Sequence, residues 1–497
     1  MELQIIFSSI IIIFAFFLFL SMSIKIVKGL ANNSNLKMPP GPWKLPLIGN
    51  LHQLVGSLPH HCLKDLSKKY GPLMHLQLGE VSTIVVSSPG LAKEVMKTHD
   101  LNFAQRPFLL SAKYVSYYYT DIALAPYGNY WRQLRKICTI ELLSAKRVQS
   151  FRSTREDEVS NLVKAIYSNE GSIVNLSEKI FALTYGITAR VAFGRKCKYL
   201  EEFISSVREM VKIAGGFGIA DLYPSIKVLQ LICGSKPKLE KLHHVSDQIL
   251  ENIIHEHKKR TKTTKTGLGE AQENIVDVFL SLQQDGDHGF SLTDSNIKAV
   301  IWDIFSARSE ISSTTVEWII AELLKNPRVM RKAQAEVRKV CSGKGKVDET
   351  LIHELKFLKS VIKETLRLHP PGPLLLQEKV ERAVVIVNVW AMGRDPRYWT
   401  QAETFYPERF LNSSVDYKGM NCKYIPFGAG RRMCPGISFA LPNIELPLAQ
   451  LLYHFDWKLP NRMRPEDLDM TEVFGVSIRK KENLFLVPDP YRPSSIE

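Results

Sequence analysis

The chain has 497 residues, 45% hydrophobic and 23% charged, with a formal net charge of +15. This composition excludes a collagenous, disordered or low-complexity chain, and seven scattered cysteines, an odd number, exclude a disulfide framework and suit a reducing compartment. The basic residues are dispersed and no RNA-binding or helix-turn-helix signature accompanies them, so no nucleic-acid partner is expected. Two readings of the charge stay open: a solvated surface, or attraction to an anionic membrane face or an acidic redox partner.

Ile5 to Ile24 is an almost unbroken apolar run without charge, interrupted by Ser8, Ser9, Ser21 and Ser23. About 20 apolar residues span a bilayer as a helix. Glu2 precedes the run, and Lys25 and Lys28 follow it, which keeps the body on the cytosolic side. The run is long for a signal peptide, its start is not basic, and no small-x-small cleavage site follows. Residues 1–28 are therefore expected to form a single-pass membrane anchor with its span at about 5–24, residues 29–42 a linker and Pro-rich hinge, and residues 43–497 one catalytic domain. The hinge ends in Pro39-Pro40-Gly41-Pro42, a stiff elbow because proline fixes φ and restricts the residue before it.

Leu73 to Val86 alternates apolar and polar residues and predicts a hairpin turning at Gly79-Glu80. Apolar spacing predicts helices from Pro89 to Thr98, Asn129 to Leu143, Arg152 to Ser168, Ile173 to Phe193 and Lys238 to Arg260. Thr261 to Glu273 reads as a polar loop. Leu292 to Leu324 is too long and too apolar for a surface helix. Further helices are expected from Pro327 to Cys341, Leu351 to Leu368 and Gly436 to Phe455. The body is predicted to be mostly α with a minor β part, and compact, since no flexible linker divides it.

Three groups of residues carry chemistry or cohesion. Trp131 and Arg135 stand four apart on one helix face and offer donors to one anionic group; a basic face with Trp as core filler is the plainer alternative. Glu364 and Arg367, at i and i+3, form an ion pair with Arg409 as a third member, and their role is structural. Cys434 lies in Phe427-Gly428-Ala429-Gly430-Arg431-Arg432-Met433-Cys434-Pro435-Gly436. A thiolate can be an axial ligand to haem iron and favours O–O cleavage. Gly428, Gly430 and Gly436 let backbone turn beside a flat macrocycle, amides of such a turn can tune the sulfur, and Arg432 suits a carboxylate such as a haem propionate.

On these motifs the chain resembles the cytochrome P450 family, specifically the plant membrane-bound type, over nearly its whole length. Pro42-Trp43-Lys44-Leu45-Pro46-Leu47-Ile48-Gly49-Asn50 and Leu446 to His454 are similar to the clan that oxidises terpenoids, alkaloids and other specialised metabolites. The resemblance implies a haem-thiolate fold behind one transmembrane helix, haem b, electrons from NADPH through a cytochrome reductase, O₂, a hydrophobic small-molecule substrate and the endoplasmic reticulum membrane. It implies Cys434 as iron ligand; Phe427, Gly428, Gly436, Trp131, Arg135 and Arg432 around the cofactor; and Glu310 as the catalytic acid. Substrate contacts would fall within about 104–124, 203–223, 299–311, 370–376 and 472–476, with Ala307, Arg308, Ile311, Leu374 and Phe474 as pocket residues.

The chain departs from the family pattern in two places. The long helix reads Ser306-Ala307-Arg308-Ser309-Glu310-Ile311-Ser312, where the family has Ala-Gly-x-acid-Thr. Arg308 replaces a Gly that leaves room for O₂, and Ile311 replaces a hydroxyl that places a proton-delivering water. Arg308 can crowd the pocket, bind an anionic substrate or snorkel to a rim. After Leu376 the chain is short by about a hairpin, and Glu378 stands where a propionate-binding Arg is expected, unless Lys379 or Arg382 shifts in. Pro442, inside the last helix, is a lesser oddity. The expected activity is hydroxylation or another oxidation of a hydrophobic plant metabolite, a terpenoid before an alkaloid. A haem-thiolate isomerase or rearranging enzyme and a catalytically impaired paralogue are the alternatives.

Overall fold

The computed structural model describes residues 38–194, 197–215, 218–264, 273–286, 291–342, 347–378 and 383–492. The predicted anchor and most of the linker, together with Lys379 and Arg382, lie outside the described residues. Among the described residues, no helix is long and apolar enough to cross a membrane.

Helix α1 (Pro59–Tyr70) leads into β1 (Leu73–Leu78) and β2 (Val81–Val86). The predicted hairpin is present: Leu73 faces Val86, and Gly79 turns at φ 60°. The alternation of β1 puts Met74, Leu76 and Leu78 inside. Helices α2 (Asn129–Ile137), α3 (Arg152–Tyr167), α4 (Leu176–Phe193), α5 (Leu200–Ala214), α6 (Ser235–Thr264) and α7 (Ile275–Asp285) follow. Several boundaries differ from expectation: the helix predicted from Asn129 to Leu143 is α-helical only to Ile137, the one predicted from Lys238 starts at Ser235, and the one predicted from Leu351 starts at Lys356. Val174–Asn175 is a short strand, β3, paired with the C-terminal segment, so α4 starts at Leu176; α6 runs on to Thr264, past the predicted loop start.

The long apolar segment forms α8 (Asp294–Lys325), 32 residues opened by a capping box between Thr293 and Asn296. Its flanks pack against α4 and the later helices α9 (Pro327–Ser342), α10 (Lys356–Leu368) and α11 (Ile437–His454), so it is buried on nearly all sides, as its composition requires. Pro442 and Pro447 both lie inside α11, which nevertheless continues to His454.

Strands β4 (Leu374–Glu378) and β5 (Val384–Asn388) complete a 4-stranded sheet in the order β1-β2-β5-β4. Glu378 pairs directly with Val384, so the two strands form one hairpin at the shortened segment. Strand β5 stops at Asn388, whose side chain accepts the Ala391 N–H and starts a short helix over Val389–Gly393. Near the C-terminus β6 (Phe455–Lys458) and β9 (Phe485–Pro490) join β3 in a second sheet, and β7 (Glu472–Val473) pairs with β8 (Arg479–Lys480). The fold is mostly helical with a minor sheet part.

The predicted ion triad binds these layers. Arg367 is fully buried and grips both Glu364 oxygens at 2.8 Å through Nε and Nη2. Its remaining donors reach the Gly393, Ala402 and Thr404 carbonyls. Arg409 donates to Glu364 at 3.0 Å, and the Tyr406 amide at 2.8 Å. A buried pair holds a core together only when its polar atoms find partners, and here all three Arg367 guanidinium nitrogens and both Glu364 oxygens have them.

Candidate haem-thiolate site

Cys434 follows a tight turn over Gly430–Arg432 and precedes α11. Gly428 (φ 73°) and Gly430 (φ 69°) adopt left-handed backbone. The Cys434 amide donates to the Phe427 carbonyl at 2.9 Å, and the Gly436 amide donates to the Cys434 sulfur at 3.4 Å. Gly436 itself has an ordinary φ of −90°, and a Cβ there would sit 3.8 Å from the sulfur, in ordinary van der Waals contact.

The Cys434 side chain is solvent-accessible, yet burial pushes its thiol pKa up, with the Gly436 N–H and Arg135 pulling it back down. The two observations agree if the sulfur faces an internal space: a probe reaches it, while protein surrounds it. Helix α8 repeats the pattern. From Asn296 to Leu324 every residue is buried except Ala307, Arg308 and Ile311, which share one face in mid-helix. Arg308 reaches from that face to lie over the ring of Phe439 on α11. Its three guanidinium nitrogens are buried without a hydrogen-bond acceptor, and burial, with Arg155 nearby, drives its pKa far down.

A cationic cluster borders the Cys434 loop. Arg135 donates to the Met433 carbonyl, the residue before the cysteine. Arg432 lies 4.2 Å from the Trp131 ring centroid and donates to the Ala104 and Ala125 carbonyls at 2.8 and 2.6 Å. Its Nη1 is buried with no acceptor. Burial, then Arg106 and Arg135, push the Arg432 pKa down to about 9, against the pull of Asp121. Trp131 is buried and its Nε1 donates to the Ile122 carbonyl at 2.9 Å, so the indole offers its face to the cluster while its N–H holds a loop. A site with this surplus of positive charge and an unused guanidinium donor fits an anionic group such as a propionate.

Arg106 was not singled out from the sequence, because no local motif surrounds it. Its guanidinium donates to the carbonyls of Ala123 and Leu376, and the Glu378 amide donates to the Gln105 carbonyl at 3.0 Å. An Arg thus lies beside the shortened hairpin although the residue at 378 is Glu. Asp121 and Asp303 were missed for the same reason. Asp303, one turn before Ala307, accepts the amides of Ile122 and Ala123 at 3.0 and 3.2 Å, and Asp121 accepts those of Leu124 and Ala125 at 2.9 Å. Burial pushes the Asp121 pKa up to about 6.

Glu310 is buried on a neighbouring face of α8. Its carboxylate accepts Ser477 Oγ at 3.2 Å and pairs with Arg479 Nε at 2.7 Å, both from the β7–β8 hairpin. Phe474, on the same hairpin, borders a cavity with Glu310, Ser313 and Thr314. Leu374, the first residue of β4, packs with the sheet core instead.

A cysteine on a glycine-turned loop, accessible yet enclosed by protein and bordered by cationic side chains, fits a haem-thiolate protein. The chain belongs to the cytochrome P450 family, whose model matches residues 39–487. It is 53% identical to premnaspirodiene oxygenase of Hyoscyamus muticus, over 96% of this chain and 98% of that one. It is 52% identical to tabersonine 6,7-epoxidase isoform 1 of Catharanthus roseus, over 98% of each. A solved zebrafish cytochrome P450 structure with progesterone superposes with a TM-score of 0.75 at 26% identity, covering 88% of this chain and 100% of that one. The protein is a cytochrome P450 monooxygenase of the plant clan that oxidises specialised metabolites, its cofactor is haem b, and its electrons come from a reductase.

Proposed function

We propose that the protein is an endoplasmic reticulum enzyme, anchored by residues 1–28, hinged by 29–42 and catalytic over 43–497, that inserts one oxygen atom from O₂ into a hydrophobic terpenoid. NADPH supplies the electrons through the reductase. The Cys434 loop carries this reading, because its sulfur faces the same kind of internal space as the open face of α8. Haem bound through a thiolate supplies an electron-rich iron suited to O–O cleavage.

In this reading Cys434 ligates the iron and the Gly436 N–H tempers its basicity. Arg432 Nη1 and Arg135 take the propionates, with Trp131 as the platform under the guanidinium. Phe427 and Gly428 would border the macrocycle. Glu310 sits near the α8 face, and its partner Arg479, partly exposed, links it to solvent. Ile311 has no hydroxyl, so water or substrate must complete that path. Ala307, Arg308, Ile311 and Phe474 shape the substrate space, while Leu374 supports it from the sheet core.

A terpenoid is put first because premnaspirodiene oxygenase is among the relatives, and an alkaloid second because tabersonine epoxidase is another. Membrane attachment has support in the body too. Val228, Leu231 and Ile232 are exposed on a short helix that holds Lys227, and Ile226 precedes it.

The test is turnover of full-length protein in microsomes with reductase, NADPH and ¹⁸O₂. Product carrying one labelled oxygen is expected, together with a thiolate band in the reduced-CO spectrum that Cys434→Ala abolishes. Arg308 and Ile311 favour one second reading, a rearranging or impaired enzyme. Turnover that proceeds without NADPH and O₂ would establish the first form, and a normal spectrum with no turnover of any terpenoid or alkaloid the second. Membrane pelleting of the full chain, and its loss on deleting residues 1–28 with Ile226, Leu231 and Ile232 changed to Ser, checks the anchor.

A further inference from the structure

A second polar cluster lies away from Cys434, where the start of α1 meets the β7–β8 hairpin. His60 Nε2 and His61 Nε2 both point at one oxygen of Glu472, Oε2, at 2.9 and 3.1 Å. Each of the three residues offers a ligand atom, and these atoms all lie within 4.8 Å of one another. Adjacent helical residues do not normally share a face. Here the first turn of α1, opened by Pro59, turns both imidazoles onto a single carboxylate.

We propose that His60, His61 and Glu472 form a binding site for a divalent transition metal, zinc by ligand type. Two imidazoles and a carboxylate are a recognised zinc donor set that leaves one position open. Metal–ligand distances of about 2.0–2.2 Å in a tetrahedral site separate ligand atoms by about 3.3 Å. Small outward shifts of the two imidazoles therefore accommodate the ion. His60 and Glu472 are buried, while the His61 side chain is 36% exposed, which gives water and metal an entry side.

The surroundings of Glu472 match those of a metal-bound carboxylate. Its second oxygen, Oε1, accepts His369 Nδ1 at 3.3 Å, and His369 Nε2 reaches Glu322 Oε1 at 2.8 Å. The His369 ring is stacked on Trp318, 3.9 Å between centroids and 4° from parallel, so it cannot swing. Such carboxylate–imidazole–carboxylate relays fix the orientation of metal ligands. Arg394 stands near both His60 and Glu472, and its own charge is answered by Glu403 at 3.1 Å.

The ion would join α1, the first helix after the Pro-rich hinge, to the hairpin whose Ser477 and Arg479 hold Glu310. Its role would be a staple that sets the hairpin, and it stands independently of the substrate assignment.

The experiment uses the full chain purified without a histidine tag, stripped with chelator and then titrated with Zn²⁺ alone. About one Zn²⁺ per chain should survive gel filtration, measured by plasma mass spectrometry, and should raise the unfolding midpoint by a few degrees. His61→Ala, half-exposed and tolerant of change, should lose the ion and the shift, as should Glu472→Gln. His353→Ala, at an exposed histidine elsewhere, should lose neither. A folded wild type that retains no zinc and shows no shift would overturn the site in favour of a hydrogen-bonded cluster. Equal retention by wild type, His61→Ala and Glu472→Gln would overturn it as adventitious binding.

Discussion

Arg308 carries a charge that no acceptor among the described residues answers. Its stem borders the internal space, but the guanidinium nitrogens are buried against α11, and the charge acting on them is the like charge of Arg155. Arg155 already spends itself on Glu349, at 2.9 and 2.6 Å. A buried charge left without a partner destabilises by about 3–5 kcal/mol. Arg308→Ala should therefore stabilise the protein by roughly 3 kcal/mol in chemical denaturation, and Arg308→Gly by about 1 kcal/mol less, the helix-propensity difference. No change in either variant would mean that the guanidinium has an anion or water in solution. Arg367 is the contrast: its guanidinium is also buried, but its donors are directed to Glu364 and backbone carbonyls.

The two glycines of the cysteine loop differ although both have positive φ. A Cβ at Gly430 would overlap the Met96 carbonyl oxygen, whereas at Gly428 the nearest atom is a Met96 methyl at 3.7 Å. Gly428→Ala should then show only the left-handed strain, about 1–2 kcal/mol. Gly430→Ala must displace backbone and should abolish the thiolate band in the reduced-CO spectrum while Gly428→Ala retains most of it. On α11, burial pushes the Glu445 pKa up to about 7, with Glu349 adding and Lys359 opposing. A carboxyl raised on folding binds its proton more tightly in the native state, so it loses stability as pH climbs from about 4.5 to about 7. Glu445→Gln should therefore be more stable than wild type by on the order of 2 kcal/mol at pH 8. That gain should vanish near pH 4, as read from denaturation at each pH.

At the scale of the whole molecule, the +15 charge acts through space. If it draws an acidic reductase, the attraction must weaken with salt. Raising ionic strength from about 0.01 M to 0.15 M shortens the Debye length from about 30 Å to about 8 Å. The apparent KM for reductase should rise several-fold over that range while turnover at saturating reductase changes little. A salt-independent KM would leave the charge as mere surface solvation.

Much of this protein was legible in its sequence because the signals were local. Glycines at positive φ mark the Cys434 loop, apolar residues on all sides mark α8 as buried, and i, i+3 spacing joins Glu364 to Arg367. Backbone freedom, helical periodicity and burial are encoded within a few residues, so they survive without the fold. Tertiary structure alone decided what long separations bring together. It set Arg106 beside the shortened hairpin, gave the Trp131 N–H to Ile122 and Glu310 to Arg479, and brought two histidines of α1 onto Glu472. Those pairings depend on which surfaces pack. No spacing along the chain records that, because a charged side chain reads the same whether its partner lies next to it or across the molecule.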